Sequence, residues 1–299
     1  MENYTILLNP HSFLGNKIKR KFLILNTRFN EIMKKDDMHN VIQKSLSKNQ
    51  NRFIVVGGDG TINNYINCLM AIDKKKRDKI ISGFIPAGRA NDFCGYSLKS
   101  NSIQEIKNAF ESKKPSGLDI IKVNGKYFAT GGGIGLVSDV VSYVHRLTRS
   151  EVEKFLIKLL GRNIYIFSVL KNMVIGYKGV SSVKINDKIL DGEYMAVCVN
   201  NQSTIGRKFK ICPDADNSDG EINICIINKP KSLLGDIEIF RKILEGQHIG
   251  MKGMNFIKGK SFVIKTKEKI PFTADGEILS VSDRFEIEVL HKELRIIIP

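Results

Sequence analysis

One glycine-rich turn constrains the N-terminal half of this 299-residue chain more than any other segment. In "RFIVVGGDGTINNYINCLM", residues 57–60 lie between an apolar run typical of a buried strand and a segment with apolar residues at helical spacing. A strand, a glycine-rich turn and a helix N-terminus form an anion cradle, because bare backbone amides and the helix dipole attract negative charge. Thr61 can cap the helix or contact a phosphate, and Asp59 is placed to bind a cation. The turn matches neither a Walker loop nor a G-x-G-x-x-G motif, and an ordinary βα turn is the alternative interpretation. Four glycine or aspartate residues in a row favour the phosphate-binding interpretation over it.

The first 120 residues alternate short apolar runs with helix-like segments. The strand-like runs "YTILLNP", "RFIVVGG" and "IISGFIP" are separated by helical patterns at about 17–33, 38–48 and 62–73. This alternation is typical of βαβ units, so the sequence predicts a Rossmann-like α/β domain with a parallel sheet over residues 1–120. Such sheets bind ligands at the carboxyl ends of their strands.

The pattern changes near residue 118 to strand-like runs separated by turn residues. "LDIIKVNGKYFAT" indicates two strands joined by Asn124 and Gly125, a strong hairpin signal. Further short runs predict an antiparallel β-sandwich domain over residues 121–289, interrupted by two helical insertions. Residues 290–299 are expected to pack back on the first domain. A cleft between the two domains is expected to hold the ligand, as is common in two-domain proteins.

Charge and cysteine content narrow the class of protein. The 47 Lys and Arg residues exceed the 31 Asp and Glu residues, a net charge of +16 that favours anionic partners or simply solubility. No nucleic-acid-binding motif is present, so nucleic acid is not expected as a partner. Five dispersed cysteines without a C-x-x-C pair predict reduced thiols in a cytoplasmic protein. The first residues lack a signal-peptide pattern, and charges interrupt the most apolar stretch, so membrane contact is expected to be peripheral.

The basic run "DKKKRDK" follows the helix after the glycine-rich turn and has two interpretations. Its cations, Lys74, Lys75, Lys76 and Arg77, can dock on acidic lipid headgroups, at about 1 kcal/mol for each basic residue near the surface. They can also complement a helix C-terminus within a solvated turn, which is the simpler interpretation.

Five segments, in order, resemble the diacylglycerol kinase and sphingosine kinase family of lipid kinases, which is distantly related to NAD kinases. "GGDGT" resembles the catalytic-domain motif, "IPAGRANDF" the second loop and "LDIIKVNGKYFATGGGIGLVSDV" the entry into the β domain. "NNQSTIGRKFKICPDADNSDGEINICII" resembles a later strand, loop and strand, and "ADGE" the last motif. The resemblance implies a kinase that uses ATP and Mg²⁺ to phosphorylate a lipid hydroxyl at the membrane surface, foremost diacylglycerol to phosphatidic acid. Because some relatives dimerise, a homodimer stays open.

The same resemblance implies a set of nucleotide-site residues. They are Asn9, Pro10, Gly57, Gly58, Asp59, Gly60, Thr61, Asn64, Arg89, Asn91, Asp92 and Glu277. Two of them depart from the family pattern, since Asn64 stands where a Glu is usual and Arg89 where a Thr is usual. Both departures bear on the activity level and the nucleotide preference.

The triplet Asp-Gly-Glu occurs three times, each time as an apparent acidic turn before a strand. Residues 191–193 are most simply a hairpin turn. The third triplet matches the family's last motif, which makes Asp275 the general base that accepts the proton of the attacking hydroxyl and leaves Glu277 near the nucleotide and metal. The second triplet belongs to a loop in which the resemblance implies a structural Mg²⁺ held by Asp216, Asp219 and Glu221. Without the resemblance, a solvated acidic loop is an equal interpretation.

Two alternatives to a lipid kinase stay open. One is a soluble small-molecule kinase of the NAD kinase type. The other is a catalytically weakened protein that binds nucleotide or lipid for regulation, which the departures at Asn64 and Arg89 motivate.

Overall fold

A computed structural model describes residues 4–24, 27–88, 91–93, 103–147, 163–206 and 208–297. The chain forms two compact units. The first comprises Met1–Ile120, Tyr127–Ala129 and Leu290–Pro299, and the second comprises Ile121–Lys126 and Thr130–Val289. Each unit is therefore assembled from segments that are distant in the sequence.

The first unit alternates strands and helices. Its elements are β1 (Thr5–Leu8), α1 (Gly15–Ile24), β2 (Asn30–Glu31), α2 (Lys35–Leu46), β3 (Arg52–Gly57), α3 (Asp59–Met70), α4 (Lys74–Arg77), β4 (Ile81–Pro86) and α5 (Ile103–Ser112). The four strands are parallel in the order β4-β3-β1-β2. This arrangement brings the loops after β1, β3 and β4 to one edge of the sheet.

Strand β3 is buried because both of its faces are covered. Phe53 and Val55 enter a hydrophobic cluster that includes Tyr65 of α3, whereas Ile54 and Val56 enter a second cluster that includes Phe22 of α1. A parallel strand covered on both faces is expected to be continuously apolar, as "FIVV" is. The glycine-rich turn therefore begins from a fixed strand.

The helix predicted over about 17–33 is wrong in its second half. Helix α1 ends at Ile24, and Asn30 and Glu31 pair in parallel with β1 at the sheet edge. The Ile32 amide donates to the Leu8 carbonyl at 2.8 Å, so the sheet edge satisfies backbone groups that a longer helix would have paired internally. Tertiary pairing has overridden the local apolar pattern.

The second unit is built on antiparallel strands. Its elements are β7 (Gly131–Gly135), α6 (Leu136–Leu147), α7 (Ile164–Ile175), β8 (Val180–Ile185), β9 (Lys188–Asn200), β10 (Ile222–Asn228), α8 (Leu233–Glu245), β11 (Met254–Gly259) and β12 (Ser261–Ala274). Two further strands, β5 (Ser116–Val123) and β13 (Glu277–Ile296), each contribute residues to both units, and β6 (Lys126–Phe128) pairs with β5. The order is β11-β10-β9-β7-β12-β13, with β8 beside β9 and β12. The α/β unit and the antiparallel unit confirm the predicted fold class.

The sequence predicts the position of one hairpin turn correctly and that of another incorrectly. Asn124 and Gly125 have φ of 45° and 81°, as the predicted hairpin requires. The turn predicted at residues 191–193 is wrong, because those residues lie inside β9 at an irregularity of its pairing with β8. Asn186 forms that hairpin instead, with φ of 52° and its side-chain carbonyl accepting from the Val263 amide at 2.9 Å.

Strand β13 includes two apolar runs, "RFEIEVL" and most of "ELRIIIP", in one continuous element. It begins in the second unit and ends in the first, where Arg295 and Ile296 pair in parallel with β4. Among the described residues, no helix is both long enough and apolar enough to cross a membrane.

Candidate active site

In the first unit, the residue after β1 is hydrogen-bonded to both β3 and α3, on either side of the glycine-rich turn. The Asn9 side-chain amide donates to Thr61 Oγ1 at 2.9 Å, and the Asn9 backbone amide donates to the Val56 carbonyl at 3.0 Å. Pro10, the next residue, is buried. The Asn-Pro pair and the glycine-rich turn therefore form one cluster, as expected at the carboxyl ends of neighbouring parallel strands.

Two glycines allow the loops after β3 and β4 to approach each other through their backbones. A Cβ at Gly58 would lie 2.8 Å from the Gly88 Cα, and a Cβ at Gly88 would lie 2.5 Å from the Gly58 Cα. Gly58 also caps α3, whose first residues are Asp59 and Gly60. A phosphate can approach the amides of this helix N-terminus without meeting a side chain of the cap residue, so the residues present fit a nucleotide phosphate.

Asn91 holds the second loop in shape. Its side-chain oxygen accepts from the Gly88 amide at 2.7 Å and its side-chain nitrogen donates to the Gly88 carbonyl at 3.0 Å. The residue has φ of 53°, a conformation that Asn tolerates better than most side chains. Asp59 accepts from the Phe93 amide at 3.3 Å, which connects the two motifs directly.

The remaining predicted residues of this loop cluster are Asn64, Arg89 and Asp92. Asp92 is half-buried beside Asn91. Asn64 is exposed on α3, whereas its neighbour Asn63 is buried and donates to the Tyr127 carbonyl at 3.0 Å. Arg89 lies outside the described residues. Nucleotide contacts by these three predicted residues stay predictions.

The second unit holds Asp275 in a tight turn between β12 and β13. Asp275 and Gly276 have φ of 50° and 78°. The buried Asp275 carboxylate accepts through Oδ1 from the Thr130 amide at 3.0 Å and from the Thr130 hydroxyl at 2.5 Å. Two donors on one oxygen fix the orientation of the carboxylate.

The glycines of β7 bring Thr130 to this turn. A Cβ at Gly132 would lie 2.0 Å from the Thr273 carbonyl oxygen, and a Cβ at Gly133 would lie 2.1 Å from the Val197 carbonyl oxygen. Only glycine lets β7 fit this closely between β12 and β9. The glycines of "TGGGIG" thus allow Thr130 to lie against Asp275. This glycine run is the sequence signal that could have indicated Thr130.

His145 of α6 is a residue that sequence reasoning missed. Its Nε2 lies 2.8 Å from the Gly276 carbonyl oxygen and 3.8 Å from Glu277 Oε2. The side chain of Glu277 is half exposed at the start of β13. Because His145 precedes the turn by 131 residues in the chain, no local pattern could have indicated this contact.

Comparison with known proteins decides the family. The protein-family model described as "Diacylglycerol kinase catalytic domain" matches residues 4–123. The family model described as "YegS C-terminal NAD kinase beta sandwich-like domain" matches residues 144–298. The second alone covers more than half of the chain. The chain belongs to the diacylglycerol kinase and YegS-like lipid kinase family.

Relatives within this lipid kinase family are distant in sequence. A protein named "Putative lipid kinase" from Staphylococcus aureus (strain Newman) is 26% identical over 255 residues, covering 85% of this chain and 79% of the relative. One of the same description from Staphylococcus haemolyticus (strain JCSC1435) is 27% identical over 244 residues, covering 81% and 75%.

Solved structures share the fold of the lipid kinase family. A diacylglycerol kinase from Bacillus anthracis str. Sterne superposes with a TM-score of 0.71 at 22% identity, over 99% of this chain and 96% of that one. An NAD kinase from Archaeoglobus fulgidus in complex with ATP gives a TM-score of 0.51 at 12% identity, over 99% and 92%. These likenesses establish the fold.

The loop in which the family resemblance implies a structural Mg²⁺ is arranged around a lysine. Lys258 Nζ lies 3.0 Å from Asp219 Oδ2 and 2.8 Å from Glu221 Oε2. Asp216 accepts from the Ser218 amide at 2.9 Å and from its hydroxyl at 2.8 Å. Within the described part of the chain, no three His, Cys, Asp or Glu side chains are grouped to hold a metal. In this arrangement the carboxylates contact an ammonium and a serine, and they do not form a cation cage. The structural Mg²⁺ at this loop stays a prediction.

Proposed function

We propose that the protein is an ATP-dependent lipid kinase that phosphorylates a lipid hydroxyl, with diacylglycerol as the foremost acceptor and phosphatidic acid as its product. The observation that carries this proposal is the buried Asp275 carboxylate, oriented by the Thr130 amide and hydroxyl. Membership of the lipid kinase family and the match of the "Diacylglycerol kinase catalytic domain" model support the reaction class.

The chemistry assigned to Asp275 is proton acceptance. As the lipid hydroxyl oxygen attacks the γ-phosphorus, the bond from that phosphorus to the ADP oxygen breaks and the hydroxyl proton passes to the Asp275 carboxylate. A positioned base of this kind contributes about 10²- to 10⁴-fold in rate. Thr130 keeps the accepting oxygens in one orientation, which is the part of the task that geometry can supply.

The nucleotide is assigned to the glycine-rich loop of the first unit. The amides at the N-terminus of α3 would bind phosphate oxygens, and Asn9 and Asn91 would keep the surrounding loops in place. Mg²⁺ bound with the nucleotide would offset the charge of its phosphates, and Asp59 is the proposed side-chain ligand, since carboxylate oxygens are the ligands that Mg²⁺ prefers.

The test is ADP formation with ATP and Mg²⁺ over diacylglycerol, sphingosine, phosphatidylglycerol and NAD, in the wild type and in Asp275→Asn. Asn is the chosen replacement because it tolerates the φ of 50° and its side-chain oxygen can still accept from Thr130. Asp191→Asn is the matched control, since Asp191 begins an identical Asp-Gly-Glu triplet. We expect lipid-stimulated turnover in the wild type and the control, and a loss of about 10²- to 10⁴-fold in Asp275→Asn.

Three outcomes would contradict the proposal. If no lipid stimulates turnover, the acceptor class is wrong, and phosphorylation of NAD would favour a soluble kinase. If Asp275→Asn turns over at the wild-type rate, the assignment of the base is wrong. If nucleotide raises the melting temperature but no acceptor is phosphorylated, a regulatory binding protein is favoured.

A further inference from the structure

We propose that the outward face of α1 is the surface through which this protein contacts an anionic membrane. This α1 face consists of Phe13, Lys17, Arg20, Leu23 and Ile24. The inference deepens the proposed function, since it rests on a lipid acceptor and names the surface that would bring the protein to it.

The apolar part of the α1 face is exposed to solvent. Phe13, Leu23 and Ile24 have 51%, 61% and 83% of their surfaces exposed. Phe22, by contrast, is buried in the hydrophobic cluster of the first unit, so α1 already has an inward apolar side. Neighbouring apolar residues exposed on the outer side of such a helix mark an interaction surface.

The cations of α1 lie beside these apolar residues. Lys17, Arg20 and Ile24 are spaced i, i+3 and i+7, which puts them on one side of the helix. Phe13 lies in the turn just before the helix begins. Leucine or isoleucine next to lysine and arginine on one helix face is typical of helices that lie in a membrane interface.

The charge of this segment complements an anionic surface. Helix α1 contains four basic residues and no acidic residue. Lys19 forms an ion pair with Glu31 at 2.7 Å, whereas Lys17, Arg20 and Lys21 are exposed. Each basic residue near an anionic bilayer contributes about 1 kcal/mol, so these cations favour acidic headgroups over neutral ones.

The basic run at α4, the membrane candidate in the sequence, is less suitable. Arg77 is buried, contacts the Glu293 carboxylate and donates to the Ile72 carbonyl at 2.6 Å. Lys74 pairs with Asp78 at 2.8 Å. Half of this run is thus committed to intramolecular contacts.

A second copy of the chain is a poorer partner for the α1 face than a membrane is. In a two-fold dimer the face would meet itself, so Lys17 and Arg20 would oppose identical cations without an acidic residue of α1 between them. Like charges brought together in an interface oppose association. An acidic bilayer can pair with the cations through its headgroups and bury the aliphatic side chains at the acyl-chain boundary.

The test is co-sedimentation of the full chain with vesicles, without ATP. One set of vesicles contains equal parts of phosphatidylglycerol and phosphatidylcholine, and the other contains phosphatidylcholine alone. We compare the wild type with Leu23→Asp/Ile24→Asp and with Lys17→Gln/Arg20→Gln. The matched control is Ile189→Asp/Val281→Asp, which makes the same charge change at aliphatic residues exposed by 61% and 63%.

We expect the wild type and the control to bind the anionic vesicles and to bind neutral ones much more weakly. Both α1 variants should bind anionic vesicles more weakly by at least about tenfold. Lys17→Gln/Arg20→Gln loses two basic residues near the bilayer, whereas Leu23→Asp/Ile24→Asp loses aliphatic contact and adds two negative charges. Their melting temperatures and their turnover of a short-chain, water-soluble acceptor should match the wild type, because the α1 face is exposed and its substitution leaves the core intact.

Equal binding by the wild type and the α1 variants would overturn the proposal, as would an equal loss in the control. A dimer in solution that Leu23→Asp/Ile24→Asp dissociates would show that a second copy covers the face. Failure of the proposed function looks different, since vesicle binding would persist while no acceptor is phosphorylated.

Discussion

Lys258 offers a sharp test of how the acidic loop of the second unit is held together. The lysine extends from β11, where it opposes Asn223 of β10, and its ammonium contacts both Asp219 and Glu221. The carboxylates of Glu221 and Asp219 raise the pKa of Lys258. Lys258→Met removes the charge, keeps much of the side-chain length and leaves two carboxylates facing each other.

The expected magnitude follows from two half-exposed ion pairs. An exposed pair contributes about 0.2–1 kcal/mol, so losing both should lower the free energy of unfolding by about 1 kcal/mol. A change of that size lowers the melting temperature of a unit of this length by about 2–4 °C. In the variant the two carboxylates become available to a divalent cation. Mg²⁺ at about ten times its dissociation constant would then restore about 1.4 kcal/mol.

The assay is thermal unfolding with Mg²⁺, with EDTA and with NaCl at matched ionic strength. We expect Mg²⁺ to raise the melting temperature of Lys258→Met and to leave that of the wild type nearly unchanged. Lys260→Met, at an exposed lysine two positions along, is the control for loss of charge alone. A saturable rise in the wild type equal to that in the variant would refute the reasoning. It would also mean that the loop binds Mg²⁺ in spite of Lys258.

Three further predictions test other parts of the structure. Thr130→Val removes the hydrogen bond from the Thr130 hydroxyl to Asp275. We expect turnover to fall by about tenfold or more, because a hydrogen bond to a charged group contributes about 1.5–3 kcal/mol. Unchanged turnover at an unchanged melting temperature would argue against a positioning role for Thr130. Arg77→Ala leaves the nearly buried Glu293 carboxylate with the longer Lys74 contact at 3.6 Å, so urea titration should report a loss of up to about 3 kcal/mol, with a smaller loss in Arg77→Lys. Burial raises the pKa of Asp139, so ionisation of this carboxyl opposes folding. The protein is therefore more stable below the ordinary pKa of Asp139, and it loses that stability as the pH rises through the raised value. Asp139→Asn should therefore gain stability relative to the wild type between pH 4 and pH 7, and equal melting temperatures across that range would contradict this.

Much of the fold could be predicted because its signals are local. The alternation of apolar runs and helical patterns indicated the parallel sheet, and Asn124 with Gly125 indicated a hairpin. The glycine-rich turn indicated a helix that begins immediately after a buried strand, and α3 begins at Asp59. Each of these features depends on backbone preferences within a few residues, which single sequences record well.

The contacts within the candidate site could be predicted only in part. The sequence singled out Asp275 and Asn91 through family motifs, but it gave no indication that Thr130 donates to Asp275 or that His145 lies at Gly276. These partners are separated by more than a hundred residues, and no local preference determines which distant strand or helix packs beside a turn.

The sequence by itself determined the two kinds of unit and the position of the glycine-rich turn, and through the family resemblance it singled out one Asp-Gly-Glu triplet as the catalytic candidate. Only the tertiary structure decided that Lys258 lies between the acidic side chains of the second triplet, that Arg77 is withdrawn from the surface and that α1 presents Ile24 to solvent. The physical reason is that charge and apolarity belong to a residue type, whereas exposure and partners are set by long-range packing.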